Sequence, residues 1–247
     1  MDEDLGPVTE DRILDGKVTL RQPAKGYRAG LDAALLAAAC DAGPGDRVLE
    51  AGCGVGAVML AAARRREGAR FLGVERDPVA LRLAQANIAA NDLTGRVEAV
   101  LGTVETAPPA GPFDAALANP PFYDDSTRLR GPHPAKRDAW MAEGGLESWI
   151  GYLLRAVRDG GSVTLIHRAD RLADILALLA PQAGSVQVRP IHSFADAPAT
   201  RAIVRAVRGG RAPLQLLPPL ILHARGGPKH TAEAEAILRG RANLPWA

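Results

Sequence analysis

Apolar and polar residues alternate in blocks along this chain of 247 residues, and the blocks predict its elements. Residues 1–26 read as an irregular arm with one short β-like piece, Lys17–Pro23. Leu31–Ala42 is rich in Leu and Ala and predicts a helix. Gly43-Pro44-Gly45 stops it. Asp46–Gly52 is a short apolar strand that runs into glycines, and Ala57–Arg66 is the next helix. Arg70–Glu75 predicts a second strand, followed by a helix over Pro78–Asp92 with proline at its tolerant first position.

Arg96–Gly102 and Phe113–Asn119 predict the third and fourth strands. Leu146–Gly161 has an amphipathic helical pattern that ends on two glycines. Ser162–His167 predicts strand five, and Arg171–Ala180 a helix. Ser185–Phe194 and Thr200–Arg208 then follow without a helix between them, as an antiparallel pair would. The tail holds one apolar piece, Pro219–Ala224, and a helix from Thr231, which suits an N-cap. Strands alternating with helices predict an α/β fold: a mostly parallel sheet covered on both faces, closed by an antiparallel last strand. No internal repeat or long linker appears, so 1–247 reads as one domain. Within it, 1–45 leads, 46–210 forms the core and 211–247 extends it.

Composition narrows the class. No run of about eighteen apolar residues occurs, so no membrane span is expected. The acidic start, MDEDLGPVTEDRI, lacks the apolar region of a secretory signal. Cys40 and Cys53 lack metal-ligand spacing, and free thiols suit a cytoplasmic protein. The five histidines (133, 167, 192, 223 and 230) are dispersed, so neither a metal site nor a catalytic triad is expected. His167 and His192 read as hydrogen-bonded structural residues. The net charge of +2 divides unevenly, −4 over residues 1–123 and +6 over residues 124–247. A basic half fits a nucleic-acid partner, although so does an arginine-rich surface with no partner.

Two motifs carry the chemistry. In VLEAGCGVGAV, Glu50 ends a strand and Gly52, Gly54 and Gly56 lead into a helix. Glycines let the turn tighten and a ligand approach the backbone. The run also satisfies the dinucleotide pattern G-x-G-x-x-A, so a nicotinamide cofactor is an alternative. Glu50 disfavours it, because a carboxylate suits an amino group or a sulfonium better than a pyrophosphate. Glu75, at the end of the second strand, can accept two hydrogen bonds from a ribose diol. The second motif, Asn119-Pro120-Pro121-Phe122, ends the fourth strand. Asn119 offers an amide oxygen and Pro120 a backbone carbonyl, two acceptors for the hydrogens of an exocyclic amine. Successive prolines hold that carbonyl rigidly, and Phe122 can stack on a planar substrate.

E-x-G-x-G-x-G followed by an acid on the second strand resembles the class I S-adenosylmethionine-dependent methyltransferases. That resemblance implies a seven-stranded Rossmann-like sheet and S-adenosylmethionine as cofactor. It implies that Glu50 lies near the methionine part and that Ala51, Gly52, Cys53, Gly54 and Gly56 pack along the cofactor. Glu75 would hold the ribose and Arg76 flank the adenine. Thr103 stands where many relatives carry an acid for the adenine amine. N-P-P-[YF] is similar to the motif of amino-methyltransferases acting on adenine, on other base amines and on glutamine, with Asn119, Pro120, Pro121 and Phe122 at the reacting group.

Gln22–Ala37, the NPPF region and the late pieces Ala197–Val207 and Leu220–Leu238 resemble bacterial enzymes that methylate the exocyclic amine of adenine beside the anticodon of valine tRNA. That likeness implies a tRNA partner and a leading segment, with Arg28 and Asp32, that closes over the cofactor. The stretch after NPPF is long, polar and basic, as a substrate-facing loop would be. Tyr123, Arg128, Arg130, Lys136 and Arg137 are its candidates for substrate contact. Glutamine methylation of a protein, or methylation of an amine in rRNA or DNA, remains the alternative.

Overall fold

The computed structural model describes residues 7–25, 28–106, 108–122 and 145–246. The long strands β3 (Arg47–Ala51), β4 (Arg70–Glu75), β5 (Val97–Leu101), β6 (Phe113–Ala118), β7 (Val157–Arg168), β8 (Ala183–His192) and β9 (Ala199–Arg208) form one twisted sheet. Their order across it is β5-β4-β3-β6-β7-β9-β8. All run parallel except β9, which is antiparallel to both of its neighbours. The seven strands and the antiparallel last one agree with the sequence pattern. That strand is inserted between β7 and β8, however, and is not the sheet edge. Two short pieces, β10 (Gln215–Leu216) and β11 (Leu220–Ile221), add parallel to β8.

Helices cover both faces. On one side α1 (Leu31–Ala39), α2 (Ala57–Arg65) and α3 (Pro78–Ala90) bury Leu35, Leu36, Met59, Leu60 and Ile88 against Val48, Phe71 and Leu117. On the other, α4 (Gly145–Ala156) and α5 (Leu172–Leu179) bury Trp149, Leu153, Ile175 and Leu179 against Leu49, Ala116 and Val163. Alternating strand residues supply the two cores, as a sheet covered twice requires. A last helix, α6 (Ala232–Leu238), starts at Thr231, whose Oγ1 accepts from the Ala234 N–H at 3.2 Å. The C-terminal residues are tied back to α1, with Trp246 Nε1 donating to the Ala39 carbonyl at 2.8 Å.

The amino-terminal arm is more ordered than the sequence pattern suggests. It is a hairpin of β1 (Val8–Ile13) and β2 (Val18–Pro23). β1 escapes sequence detection because it is largely solvent-facing and polar, held by pairing and not by burial. The outer edge of β2 is closed by two side chains, Asn87 of α3 and Asn91 just after it. Asn87 accepts from the Arg21 N–H at 2.8 Å and donates to the Arg21 carbonyl at 3.0 Å; Asn91 does the same for Thr19 at 2.9 and 2.7 Å. The two amides thus imitate a neighbouring strand. Asn87 also donates to the Val55 carbonyl in the glycine turn at 3.0 Å, so the hairpin, α3 and the turn are one network. Asn87→Ala should lower stability by about 1–3 kcal/mol, because it orphans buried backbone groups. Urea titration, with trypsin cleavage after Arg21 as the local readout, checks this.

The helix predicted to reach Gly161 stops at Ala156. Val157 instead pairs with Phe113, and Arg158 donates to Asp114 at 2.8 Å. Strand pairing and an ion pair outweigh the helical propensity of this stretch.

Candidate active site

The register of the sheet assembles the site. Ala51 of β3 pairs with Val74 of β4 on one side and Ala118 of β6 on the other. The next residues of the three strands are Gly52, Glu75 and Asn119. They therefore lie at one level on the carboxyl edge, where open parallel sheets bind ligands.

Gly52, Gly54 and Gly56 all have positive φ, at 66°, 54° and 88°. Gly56 ends the turn as the left-handed N-cap of α2. Gly52 has a second constraint: a Cβ there would stand 2.5 Å from the Trp149 ring, which packs on its Cα. At Gly54 a Cβ would meet nothing within 4 Å, so the backbone borders open space where a ligand can approach. Cys53 faces inward below Gly73 and is a buried free thiol, as is Cys40.

Glu50 is 2% exposed, and its Oε2 accepts from the Met59 N–H of α2 at 2.9 Å. Burial pushes its carboxyl well above the ordinary carboxylate range; the Met59 amide opposes this and the Glu75 charge adds to it. A buried acid with one backbone donor suits a cationic ligand, which would stabilise its ionised form. Glu75 accepts from the Gly54 N–H and the Asp77 N–H, both at 2.8 Å, so one carboxylate spans the turn and the start of α3. Asp77 caps α3 through the Val79 N–H.

Beyond β5, Thr103 is half-buried, and its carbonyl accepts from the Thr106 hydroxyl at 2.9 Å. Arg76 is exposed at the end of β4. Arg28 is tied to the hairpin. It donates to Thr9 Oγ1 at 2.6 Å and to the Pro23 carbonyl, and it pairs with Asp11, all in or beside the hairpin.

Asn119 is half-buried, Pro120 is buried, and Phe122 is half-buried. The Arg201 guanidinium lies over the Phe122 ring, 4.7 Å from its centroid, and the His167 ring meets it edge-on at 4.9 Å. Arg201 in turn donates to Asp32 at 3.2 Å. The leading segment, β9 and the NPPF motif are thereby joined by one chain of contacts, Asp32–Arg201–Phe122–His167. Sequence patterns do not mark Trp149 or Arg201, because each acts through partners distant in the chain. Tyr123, Arg128, Arg130, Lys136 and Arg137 lie outside the described residues.

His192 is hydrogen-bonded as expected, to the Ala197 carbonyl at 2.6 Å. His167 departs from that expectation: among the described residues neither ring nitrogen has a hydrogen-bond partner. Burial foremost, then the charges of Arg171 and Arg168, push its pKa down to about 4; the Pro121 backbone and the Asp170 charge oppose this. His167 is therefore neutral in the folded protein where it would be protonated in the unfolded chain. Its contribution to stability is fully present above about pH 6.5 and lost as pH falls toward about 4. Urea midpoints at pH 7, 5.5 and 4.5 should show this loss, and His167→Gln should remove part of it. Among the described residues no group of His, Cys, Asp or Glu could hold a metal, and no helix is long and apolar enough to cross a membrane.

Comparison with known proteins agrees with this geometry. Residues 28–130 match the family model of the methyltransferase small domain. A tRNA1(Val) (adenine(37)-N6)-methyltransferase from a Flavobacteriaceae bacterium is 29% identical over 123 residues, covering 50% of each chain. A release factor glutamine methyltransferase from Gloeobacter violaceus is 29% identical over 164 residues, 63% of this chain and 57% of its own. The chain thus spans little more than half the length of these curated relatives. Among solved structures, a predicted O-methyltransferase from Agrobacterium tumefaciens superposes with a TM-score of 0.72 at 26% identity, over 86% of this chain and 98% of its own. Residues 28–130 thus carry the pattern of the methyltransferase small domain, on a fold shared with the A. tumefaciens protein. S-adenosylmethionine is the cofactor that this domain and fold support.

Proposed function

We propose that the protein transfers a methyl group to the exocyclic amine of adenine in tRNA, at the anticodon loop. The observation that carries this reading is the alignment of Gly52, Glu75 and Asn119 at one level of the carboxyl edge. A cofactor site and an amine acceptor site then adjoin.

Bound S-adenosylmethionine supplies an electrophilic methyl group on a sulfonium. Glu50 would lie toward its amino-acid part, Ala51, Gly52, Cys53, Gly54 and Gly56 along its backbone side, and Glu75 at the ribose. Arg76 and Thr103 would flank the adenine. Arg28 and Asp32 act as fasteners of the leading segment, consistent with their bonds to the hairpin and to Arg201.

An exocyclic amine is a poor nucleophile because its lone pair is delocalised into the ring. The Asn119 amide oxygen and the Pro120 carbonyl would each accept one amine hydrogen. That pair favours a pyramidal nitrogen with its lone pair aimed at the methyl carbon. The C–S bond breaks as the C–N bond forms, and the proton leaves once nitrogen is cationic and acidic. No strong base is needed, so rate enhancement comes mainly from positioning. Phe122 offers a face for the base. Tyr123, Arg128, Arg130, Lys136 and Arg137 follow it in the sequence as the substrate-contacting set of this reading.

A hydroxyl acceptor, named for the A. tumefaciens protein, needs a base beside it. His167, pushed down to about 4, is a weak one, which favours nitrogen. An anticodon-loop base is unpaired, so it reaches such a pocket without duplex melting. Protein glutamine methylation is the second reading, favoured by the G. violaceus relative. The ties of residues 211–246 to the core support a one-domain chain, and a tRNA substrate suits action in the cytoplasm. Nucleoside analysis of tRNA from a strain lacking the protein tests the reading. It predicts loss of one N6-methyladenosine that the restored gene returns; unchanged tRNA with an unmethylated release factor would favour the second reading.

A further inference from the structure

The Asp32–Arg201–Phe122 unit occurs a second time, away from the glycine turn and NPPF. Arg225 lies over the Phe194 ring, 4.6 Å from its centroid, and is held there by Asp196 at 3.2 Å. In both units a carboxylate fixes a guanidinium on a phenyl face. The second unit continues into a stack. Phe194 meets His223 at 5.6 Å, and His223 lies nearly parallel to His230 at 5.1 Å and 27°.

Topology puts the two units on the same edge. β8 runs parallel to β6 and β7, so its end at His192 and the turn carrying Phe194 lie on the carboxyl side. β11 pairs with that end of β8 and leads directly to His223. From β6 to β11 the path crosses β7, β9 and β8, which at the usual strand spacing is on the order of 20 Å. The two Asp–Arg–Phe units thus mark one track that leads away from Asn119.

Neither ring stack belongs to a hydrophobic core. Phe194, His223 and His230 are half-buried, and the Arg225 side chain is 67% exposed. His223, His230 and the neighbouring Lys229 also border a cavity of about 760 Å³ between α6, the hairpin turn and the start of α1. The half of the chain that bears the second unit and Arg201 carries the net +6. Accessible flat rings with guanidinium and ammonium groups beside them suit single-stranded nucleic acid, whose bases stack while its phosphates meet cations.

We infer that Phe194, Arg225, His223 and His230 form a second stacking surface, which binds nucleotides flanking the target base of the RNA. The inference rests on the proposed RNA substrate. Its test uses the full chain with unmodified bulk tRNA from a strain lacking the protein. Binding is followed by fluorescence anisotropy and transfer by steady-state kinetics. Phe194→Ala and Arg225→Gln should each raise Kd and KM for tRNA roughly tenfold, within the range of base–aromatic stacking. The kcat at saturating tRNA and the affinity for S-adenosylmethionine should be unchanged. His223→Phe, which keeps a stacking ring, should stay within about twofold of the native Kd. Arg225→Gln alters an exposed side chain, so it remains informative if Phe194→Ala fails to fold. A native protein that methylates tRNA, with the same Kd and KM in both variants, would overturn the stacking surface alone. A native protein that leaves tRNA unmethylated would overturn the RNA reading itself. Weakened binding of a protein substrate with tRNA binding intact would assign the surface to a protein partner and overturn the inference.

Discussion

Replacing Asn119 by alanine is expected to lower methyl transfer on the order of 10²–10³-fold while S-adenosylmethionine still binds. The scale is that of removing one positioned hydrogen-bonding group from a transition state. The effect should fall on kcat, because the amide oxygen is most needed as nitrogen becomes pyramidal and its hydrogens become acidic. Asn119→Asp keeps an acceptor oxygen at the same place and should retain more activity than the alanine variant. Calorimetric titration with S-adenosylmethionine separates the two roles. Cofactor affinity within about threefold of native, with transfer lost, is the expected pair of results. A native transfer rate in Asn119→Ala would remove Asn119 from the chemistry.

Gly52→Ala should carry the largest cost in stability, about 2–5 kcal/mol. Part of it is backbone strain, since φ at Gly52 is 66° and an L residue in that region costs about 1–2 kcal/mol. The rest is overpacking, because the new Cβ would stand 2.5 Å from the Trp149 ring. Gly54→Ala is the control. Its φ of 54° brings similar strain, but its Cβ would enter open space, so only about 1–2 kcal/mol is expected. Gly54→Ala should instead weaken cofactor binding, because the added methyl faces the side from which a ligand approaches. Urea titrations of both variants, with unchanged slopes, check the comparison. Trp149→Leu in the Gly52→Ala background should relieve the steric part, visible as a favourable coupling energy in a double-mutant cycle.

The residues legible from the chain are those whose chemistry leaves no substitute. Gly52, Gly54 and Gly56 occupy left-handed backbone positions, and their spacing by itself announces the turn. Glu50 and Glu75 are legible because acids at strand ends beside glycines are unusual and chemically pointed. The mostly parallel sheet follows from the alternation of strands and helices. What stays hidden depends on contacts between remote parts of the chain. Arg201 and Asp32 are ordinary surface charges until the fold places them together over Phe122. Trp149 reads as one more apolar residue of an amphipathic helix, yet it is what presses on Gly52. The β1 strand is polar and is defined by its partner, and β2 is completed by Asn87 and Asn91 from α3 and its end. The helix expected to reach Gly161 gives way at Val157, where pairing with Phe113 decides the outcome.

The mutual position of His167, Arg201 and Phe122 also bears on the chemistry. One face of Phe122 already carries a guanidinium, and the imidazole meets the ring edge-on. A base received there would meet a ring whose orientation is fixed on two sides before binding. Preorganisation of this kind lowers the entropy that must be lost when the substrate docks.

The most direct measurement is product analysis with the purified chain. Unmodified tRNA is incubated with methyl-labelled S-adenosylmethionine, digested to nucleosides and resolved. The account predicts label in N6-methyladenosine with the native protein and a loss of that label on the order of 10²–10³-fold with Asn119→Ala. Label in a methylated hydroxyl, or label confined to the glutamine of an added release factor while the tRNA stays unlabelled, would contradict it.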